Sequence, residues 1–147
     1  LFRSGAFTRI RPHNTLADFA RAVLEGLSFE LKMAVDAMDS GLEEPAKNMI
    51  AIGGGTRNDL WLTIKADILQ MPIEVPQVDE AVALGAALLA GIGSGVYKDA
   101  AHAVAKARPA GRMVLPDESL FKVYHDAFRT YTAVSKALLQ VDCSQSD

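Results

Sequence analysis

From Leu16 to Met38 the apolar residues Leu16, Phe19, Ala20, Val23, Leu24, Leu27, Leu31, Ala34, Val35 and Met38 recur in steps of three and four. That spacing predicts one face of a long helix. Thr15-Leu-Ala-Asp18 ahead of it is a capping-box variant, with Asp where Glu or Gln is usual, and Gly41 is placed to end the helix. Met49-Ile-Ala-Ile52 stops at Gly53-Gly54-Gly55, which predicts a short buried strand and a tight loop. A second helix is expected from about Asn58, carrying Leu60, Trp61, Ile64, Ile68 and Leu69 and closing before Pro72. Ile73-Glu-Val75 is a very short strand between Pro72 and Pro76. Glu80 to Ile92 is a third helix, rich in Ala and Gly, and Asp99 to Ala107 a short surface helix. Arg112-Met-Val-Leu115 is either an edge strand or an extended connector. Pro116-Asp-Glu opens the last helix, striped by Leu120, Phe121, Tyr124, Phe128, Tyr131 and Leu138, and the polar tail after Val141 is expected to fray.

Strand and helix alternate, which argues an α/β architecture. Two short strands are too few, because sheets usually have about four to six. The expectation is therefore an incomplete α/β domain, the second half of a larger one. A first residue Leu1 in place of Met points the same way. Residues 1–107 are expected to form that half-domain, 108–141 a connector and C-terminal helix, and 142–147 a disordered tail.

Composition narrows the class. The 147 residues are 50% hydrophobic and 22% charged, which excludes a disordered chain, a collagen-like repeat and a disulfide scaffold. The lone cysteine, Cys143, cannot form an internal bridge, so a reducing compartment, the cytoplasm, is expected. A net charge of −3 makes no global case for nucleic acid. The opening LFRSGAFTRIRPH has no apolar signal region. The longest uncharged apolar stretch, Ala81 to Gly93, is shorter than the roughly 18 residues a membrane span needs. Arg3, Arg9 and Arg11 could form an anion-contacting arm, but a solvated edge strand or loop is the preferred reading.

Gly53-Gly54-Gly55-Thr56 carries the clearest chemistry. Glycine lets the backbone turn sharply and approach a ligand, and the next helix offers free N–H groups and a positive dipole end to an anion. Thr56 can add a hydroxyl and Asn58 an amide, and Arg57 is the one full positive charge nearby in sequence. Phosphate binding and a ligand-free turn both fit the loop. Neither a P-loop nor the G-x-G-x-x-G dinucleotide fingerprint is present. Gly91-Ile-Gly93-Ser-Gly95 follows a helix and reads as its stop. The small residues Ala81, Ala83, Gly85, Ala86, Ala87 and Ala90 suit helix packing better than a flat ligand, and Trp61 suits a core better than a stacking platform. His13, His102 and His125 lack a local metal-ligand spacing. Asp59, Asp67, Asp79 and Glu80 are explained as helix-start and surface carboxylates.

Three stretches together resemble the C-terminal nucleotide-binding domain of the FGGY carbohydrate kinases. Asp18-Phe-Ala-Arg-Ala-Val-Leu-Glu25 fits the latter part of a family signature. Ile52-Gly-Gly-Gly-Thr-Arg-Asn-Asp-Leu-Trp61 resembles the adenosine loop, with Lys65-Ala-Asp-Ile-Leu-Gln-Met-Pro-Ile-Glu-Val-Pro76 behind it. Glu80-Ala-Val-Ala-Leu-Gly-Ala-Ala-Leu-Leu-Ala90 is similar to the next helix. Order and spacing agree over about residues 5 to 106. One departure is Arg9, where the family usually has Gly, in the segment entering the long helix.

The resemblance implies the ribonuclease-H-like fold of the actin, hexokinase and heat-shock-70 superfamily, with a helical C-terminal extension. It implies ATP and Mg²⁺ as cofactors and a sugar or polyol as phosphate acceptor. Gly54, Gly55, Thr56 and Asn58 are implied as nucleotide contacts, and Ala83 and Gly85 as neighbours of the site. The catalytic aspartate, N-terminal phosphate loop and most sugar contacts of the family have no counterpart in these residues, so the chain alone is expected to be inactive. Self-association through apolar surface is a further expectation, and neither nucleic acid nor membrane is an expected partner. The alternatives are a non-catalytic nucleotide-binding or assembly module of the actin-like superfamily, and an α/β piece with no retained binding.

Overall fold

A computed structural model describes residues 6–78, 80–107 and 110–143. Arg3 of the proposed arm, Asp79 and the last four tail residues lie outside the described residues. The elements in chain order are α1 (Leu16–Asp39), β1 (Met49–Ile50), a 3-10 turn (Gly54–Arg57), α2 (Asp59–Leu69), β2 (Ile73–Pro76), α3 (Ala81–Gly93), α4 (Ala100–Ala107), β3 (Gly111–Val114), a second 3-10 turn (Glu118–Leu120) and α5 (Phe121–Cys143).

The start of α1 follows from its capping box. The Thr15 hydroxyl accepts from the Asp18 N–H, and the Asp18 carboxylate accepts from the Thr15 N–H at 2.7 Å. These backbone and hydroxyl donors hold the Asp18 pKa below its ordinary value. Just before it, Arg9 takes a left-handed backbone conformation with φ +59°. The non-glycine departure noted in the sequence therefore stands where the backbone favours glycine.

The sheet order is β1-β2-β3. β1 and β2 run parallel, Met49 opposite Ile73, with α2 as the crossover between them. β3 runs antiparallel to β2, Val75 opposite Arg112 and Pro76 opposite Gly111. The segment left open between strand and connector is thus a strand. A Cβ on Gly111 would meet the Val75 carbonyl oxygen at 2.9 Å, so this close crossing requires glycine.

α2 is the centre of the packing. Leu62, Ala66 and Leu69 bury against Met71, Ile73 and Val75 of the sheet side, with Leu31 and Val35 of α1 adjoining. Ile64 and Ile68 turn to Phe29 of α1 and Tyr124 of α5. Phe29 meets the rings of Tyr124, Phe128 and Tyr131, at 5.2 Å between centroids for Tyr131. A polar seam closes the α1–α5 contact: Arg21 donates to the Tyr124 oxygen at 2.9 Å, and Tyr131 donates to Glu30 at 2.6 Å.

Two expectations need correction. The strand expected to be buried over Met49–Ile52 is not: β1 spans Met49–Ile50 at the sheet edge, and Ile50 and Ile52 are exposed. The long helix forms as expected, and along it Phe29 and Ser28 are the buried residues, while Leu16, Val23, Leu27 and Met38 of its apolar stripe are exposed. The stripe is wider than the surface that α2 and α5 offer it. Asp67 is no surface carboxylate. It is 2% exposed and accepts the Asp117 N–H at 2.8 Å, fastening the turn that leads into α5. The last helix itself begins at Phe121, after a 3-10 turn capped by Asp117, and continues past Val141 to Cys143.

Candidate functional site

The site is the passage from β1 to α2. Gly53 leaves the strand at φ +87°, ψ −174°, a region open in practice only to glycine. The 3-10 turn that follows closes on itself: the Thr56 N–H and hydroxyl both donate to the Gly53 carbonyl, at 3.1 and 2.7 Å. Asn58 then caps α2, its Oδ1 accepting from the Trp61 N–H at 3.0 Å. The cap occupies the amide oxygen and leaves the Nδ2 donors of an exposed side chain. It also takes one of the partnerless N–H groups of the helix start, leaving those of Asp59 and Leu60 facing outward.

Gly54 is open on the Cβ side, with nothing within 4 Å. Gly55 is not: a Cβ there would meet Trp61 Cζ3 at 3.3 Å, so the loop lies down on the indole. That ring is half-buried and held from below, Nε1 donating to the buried Ser28 hydroxyl at 3.2 Å. Trp61 is thus neither pure core nor a free platform; it is the floor of the loop.

Arg57 is not the one cation nearby. Lys65, one turn beyond Trp61, places its ammonium 3.6 Å from the centre of a Trp61 ring. Partial burial pushes its pKa down. Arg112 of β3 pairs with Asp59 and donates to the Thr56 carbonyl at 3.4 Å. Asp59 stands at the helix start, where its negative charge would oppose an incoming phosphate; Arg112 offsets that charge. A depression of about 380 Å³ lies beside the loop, lined by Thr56, Val75, Pro76, Gln77, Ala110, Gly111 and Arg112. It sits at the carboxyl ends of parallel β1 and β2, where open α/β sheets take their ligands.

Sequence spacing could have found Lys65, because positions 58, 61 and 65 share one face of a helix. Arg112 lies 53 residues from Asp59, and only the sheet register brings it there.

Gly54, Gly55, Thr56 and Asn58 therefore come together in one turn, whereas Ala83 and Gly85 do not join them. Both are exposed on α3, whose extended packing among the described residues is with α4. The end of α3 is as the glycines suggested: Ser94 caps it, Gly95 is left-handed at φ +80°, and Tyr97 lies so close over Gly91 that a Cβ would meet its ring at 2.6 Å. Among the described residues no group of three or more His, Cys, Asp or Glu is arranged to hold a metal. None of the described helices is long and apolar enough to cross a membrane. The arrangement can bind a polar, anionic ligand through backbone N–H groups, an amide and two flanking cations.

Residues 2–94 match the model of the FGGY family of carbohydrate kinases, C-terminal domain. A glycerol kinase from Gloeobacter violaceus is 40% identical over 94 residues, covering 64% of this chain and 19% of the relative. The crystal structure of a xylulose kinase from Rhodospirillum rubrum superposes with a TM-score of 0.83 at 29% identity, covering 96% of this chain and 28% of that one. A Plasmodium falciparum glycerol kinase solved with ADP gives 0.69 at 27% identity, covering 86% and 25%. The chain thus spans between about a fifth and just over a quarter of the length of these relatives. With the glycine turn, the capped α2 and the matching order of elements, the chain belongs to the FGGY family of carbohydrate kinases.

Proposed function

We propose that this chain supplies the adenosine side of the ATP site in a carbohydrate kinase that transfers the γ-phosphate to a sugar or polyol hydroxyl. The turn Gly53–Asn58 carries the reading: it joins a strand end to a capped helix start with open space above Gly54 and free amide donors on Asn58. The glycerol kinase relative solved with ADP supports a nucleotide as the ligand. Phosphoryl transfer works by positioning and electrostatics. Mg²⁺ would arrive largely on the nucleotide phosphates, which is how such sites commonly hold it. Ala83 and Gly85 belong to this reading as outer neighbours of the nucleotide, not as contacts of the turn.

Residues 1–107 act as the second half of the FGGY-type domain and 108–141 as a helical extension, working in the cytoplasm. Exposed Ile50 and Ile52 at the β1 end, the bare Leu16–Val23–Leu27 stripe of α1 and an α3 with no fully buried residue support a half-domain that the rest of a longer kinase completes. The chain alone is inactive, and sugar-dependent ATP turnover by the purified 147-residue protein would show otherwise.

The site is tested by Gly54→Val and Asn58→Asp in a full-length enzyme carrying this sequence. Valine at 54 intrudes on ligand space and not on protein, while aspartate at 58 keeps the cap and removes the amide donors. Each is expected to raise the KM for ATP roughly tenfold, the value of one lost charge-assisted or amide contact, with little change in the KM for sugar. Unchanged ATP saturation with altered sugar dependence sinks the assignment.

A further inference from the structure

We propose that Lys65 is an anion-contacting residue of this site, its ammonium meeting the phosphate of a nucleotide seated on Gly53–Thr56; the proposal rests on the reading of that turn as a nucleotide site. Three observations converge on it. The ammonium lies against the floor of the loop, 3.6 Å from the centre of a Trp61 ring and about 4.0 Å from where a Cβ of Gly55 would stand. Asn58, Trp61 and Lys65 follow one another at helical spacing, so the cation shares a face of α2 with the exposed amide. Among the described residues no carboxylate lies within ion-pair distance of Lys65, although Arg21, Lys32, Lys47 and Arg112 all have one.

A half-buried ammonium without a counter-ion has lost hydration that an aromatic face only partly restores. Burial accordingly disfavours its charged form. An anion seated on the turn would restore that balance, and Gly55, by having no Cβ, lets the turn lie close enough to the indole for the ammonium to reach it. The Trp61 ring and the Gly55 turn lie against the cation. The competing role is structural, because a Trp–Lys pair four apart also steadies an isolated helix slightly.

The experiment compares ADP with adenosine on the full 147-residue chain. Trp61 is its one tryptophan, so indole fluorescence reports the site directly. In the unsubstituted protein ADP is expected to shift Trp61 emission and to bind more tightly than adenosine. Lys65→Met should weaken ADP roughly tenfold and leave adenosine within about twofold, while Lys65→Arg retains most of the ADP affinity. A Lys65→Met chain that binds ADP as tightly as before overturns the proposal. So does equal loss of ADP and adenosine, which would make Lys65 a packing residue. An unsubstituted chain that binds neither ligand overturns the reading of the turn, and this proposal with it.

Discussion

Gly53 and Gly54 are adjacent, and at both a Cβ would meet nothing within 4 Å. They differ in backbone alone: Gly53 stands at φ +87°, ψ −174°, and Gly54 begins a 3-10 turn without a left-handed φ. Alanine at 53 therefore adds torsional strain of about 1–3 kcal/mol with no steric term. Alanine at 54 mainly removes freedom from the unfolded chain and is worth about 0.4–1 kcal/mol of stability. The entropic gain applies to both variants, so they should differ by the strain alone, about 1–3 kcal/mol. Urea unfolding followed by circular dichroism reads this directly. With a slope of about 2 kcal/mol per M, the Gly53→Ala midpoint should fall about 0.5–1.5 M below that of Gly54→Ala, with equal slopes. Midpoints within about 0.3 M of each other would refute the claim that the strand-to-turn geometry depends on glycine at 53.

Arg9→Gly should stabilise. Relief of a left-handed arginine returns about 1–2 kcal/mol, less about 0.5–1 for glycine's extra freedom when unfolded, for a net gain near 0.5–1 kcal/mol; a variant less stable than the parent in the same urea assay contradicts the φ at that position. Tyr131 titrates late, pushed up to about 12 by burial and by its hydrogen bond to Glu30. A raised pKa favours the neutral form in the folded state, so its stabilising contribution is complete below pH 10 and is lost as pH rises from 10 through 12. Tyr131→Phe should flatten the alkaline fall in stability across that window, and an unchanged slope would remove Tyr131 from it. Exposed Ile50, Ile52, Val82 and Leu89 should drive self-association of the chain by itself; light scattering showing a clean monomer at high concentration would count against the half-domain account.

Local signals were the readable part of this sequence. Thr15 and Asp18 are three residues apart, so the capping box could be read from the chain, and so could the start of α2 at Asn58 and the stop at Gly91–Gly95. What escaped depends on distant partners. Asp67 looks like any helix carboxylate until Asp117, 50 residues on, donates its N–H to it. The α1 stripe spells out more apolar surface than the described residues cover, because periodicity records what a helix can bury and not what is present to cover it. In the site, the glycines and Asn58 were visible as one turn, whereas Arg112 reaches it only through pairing of β3 with β2. Lys65 stands four residues after Trp61, so its place on that face is legible, whereas its rest on the indole depends on a side-chain conformation that spacing does not specify.

The α1–α5 seam joins residues 103 and 101 positions apart, Arg21 to Tyr124 and Glu30 to Tyr131. On a ribosome adding about 5–20 residues per second, α1 emerges roughly 5–20 s before the helix that covers Phe29 exists. During that interval α1 has α2 to pack against, but the side of Phe29 that meets Tyr124, Phe128 and Tyr131 stands bare in a crowded cell. Synthesis thus opens a window for holding factors, and for misassembly, whose length is set by the order of elements along the chain and not by the stability of the finished fold.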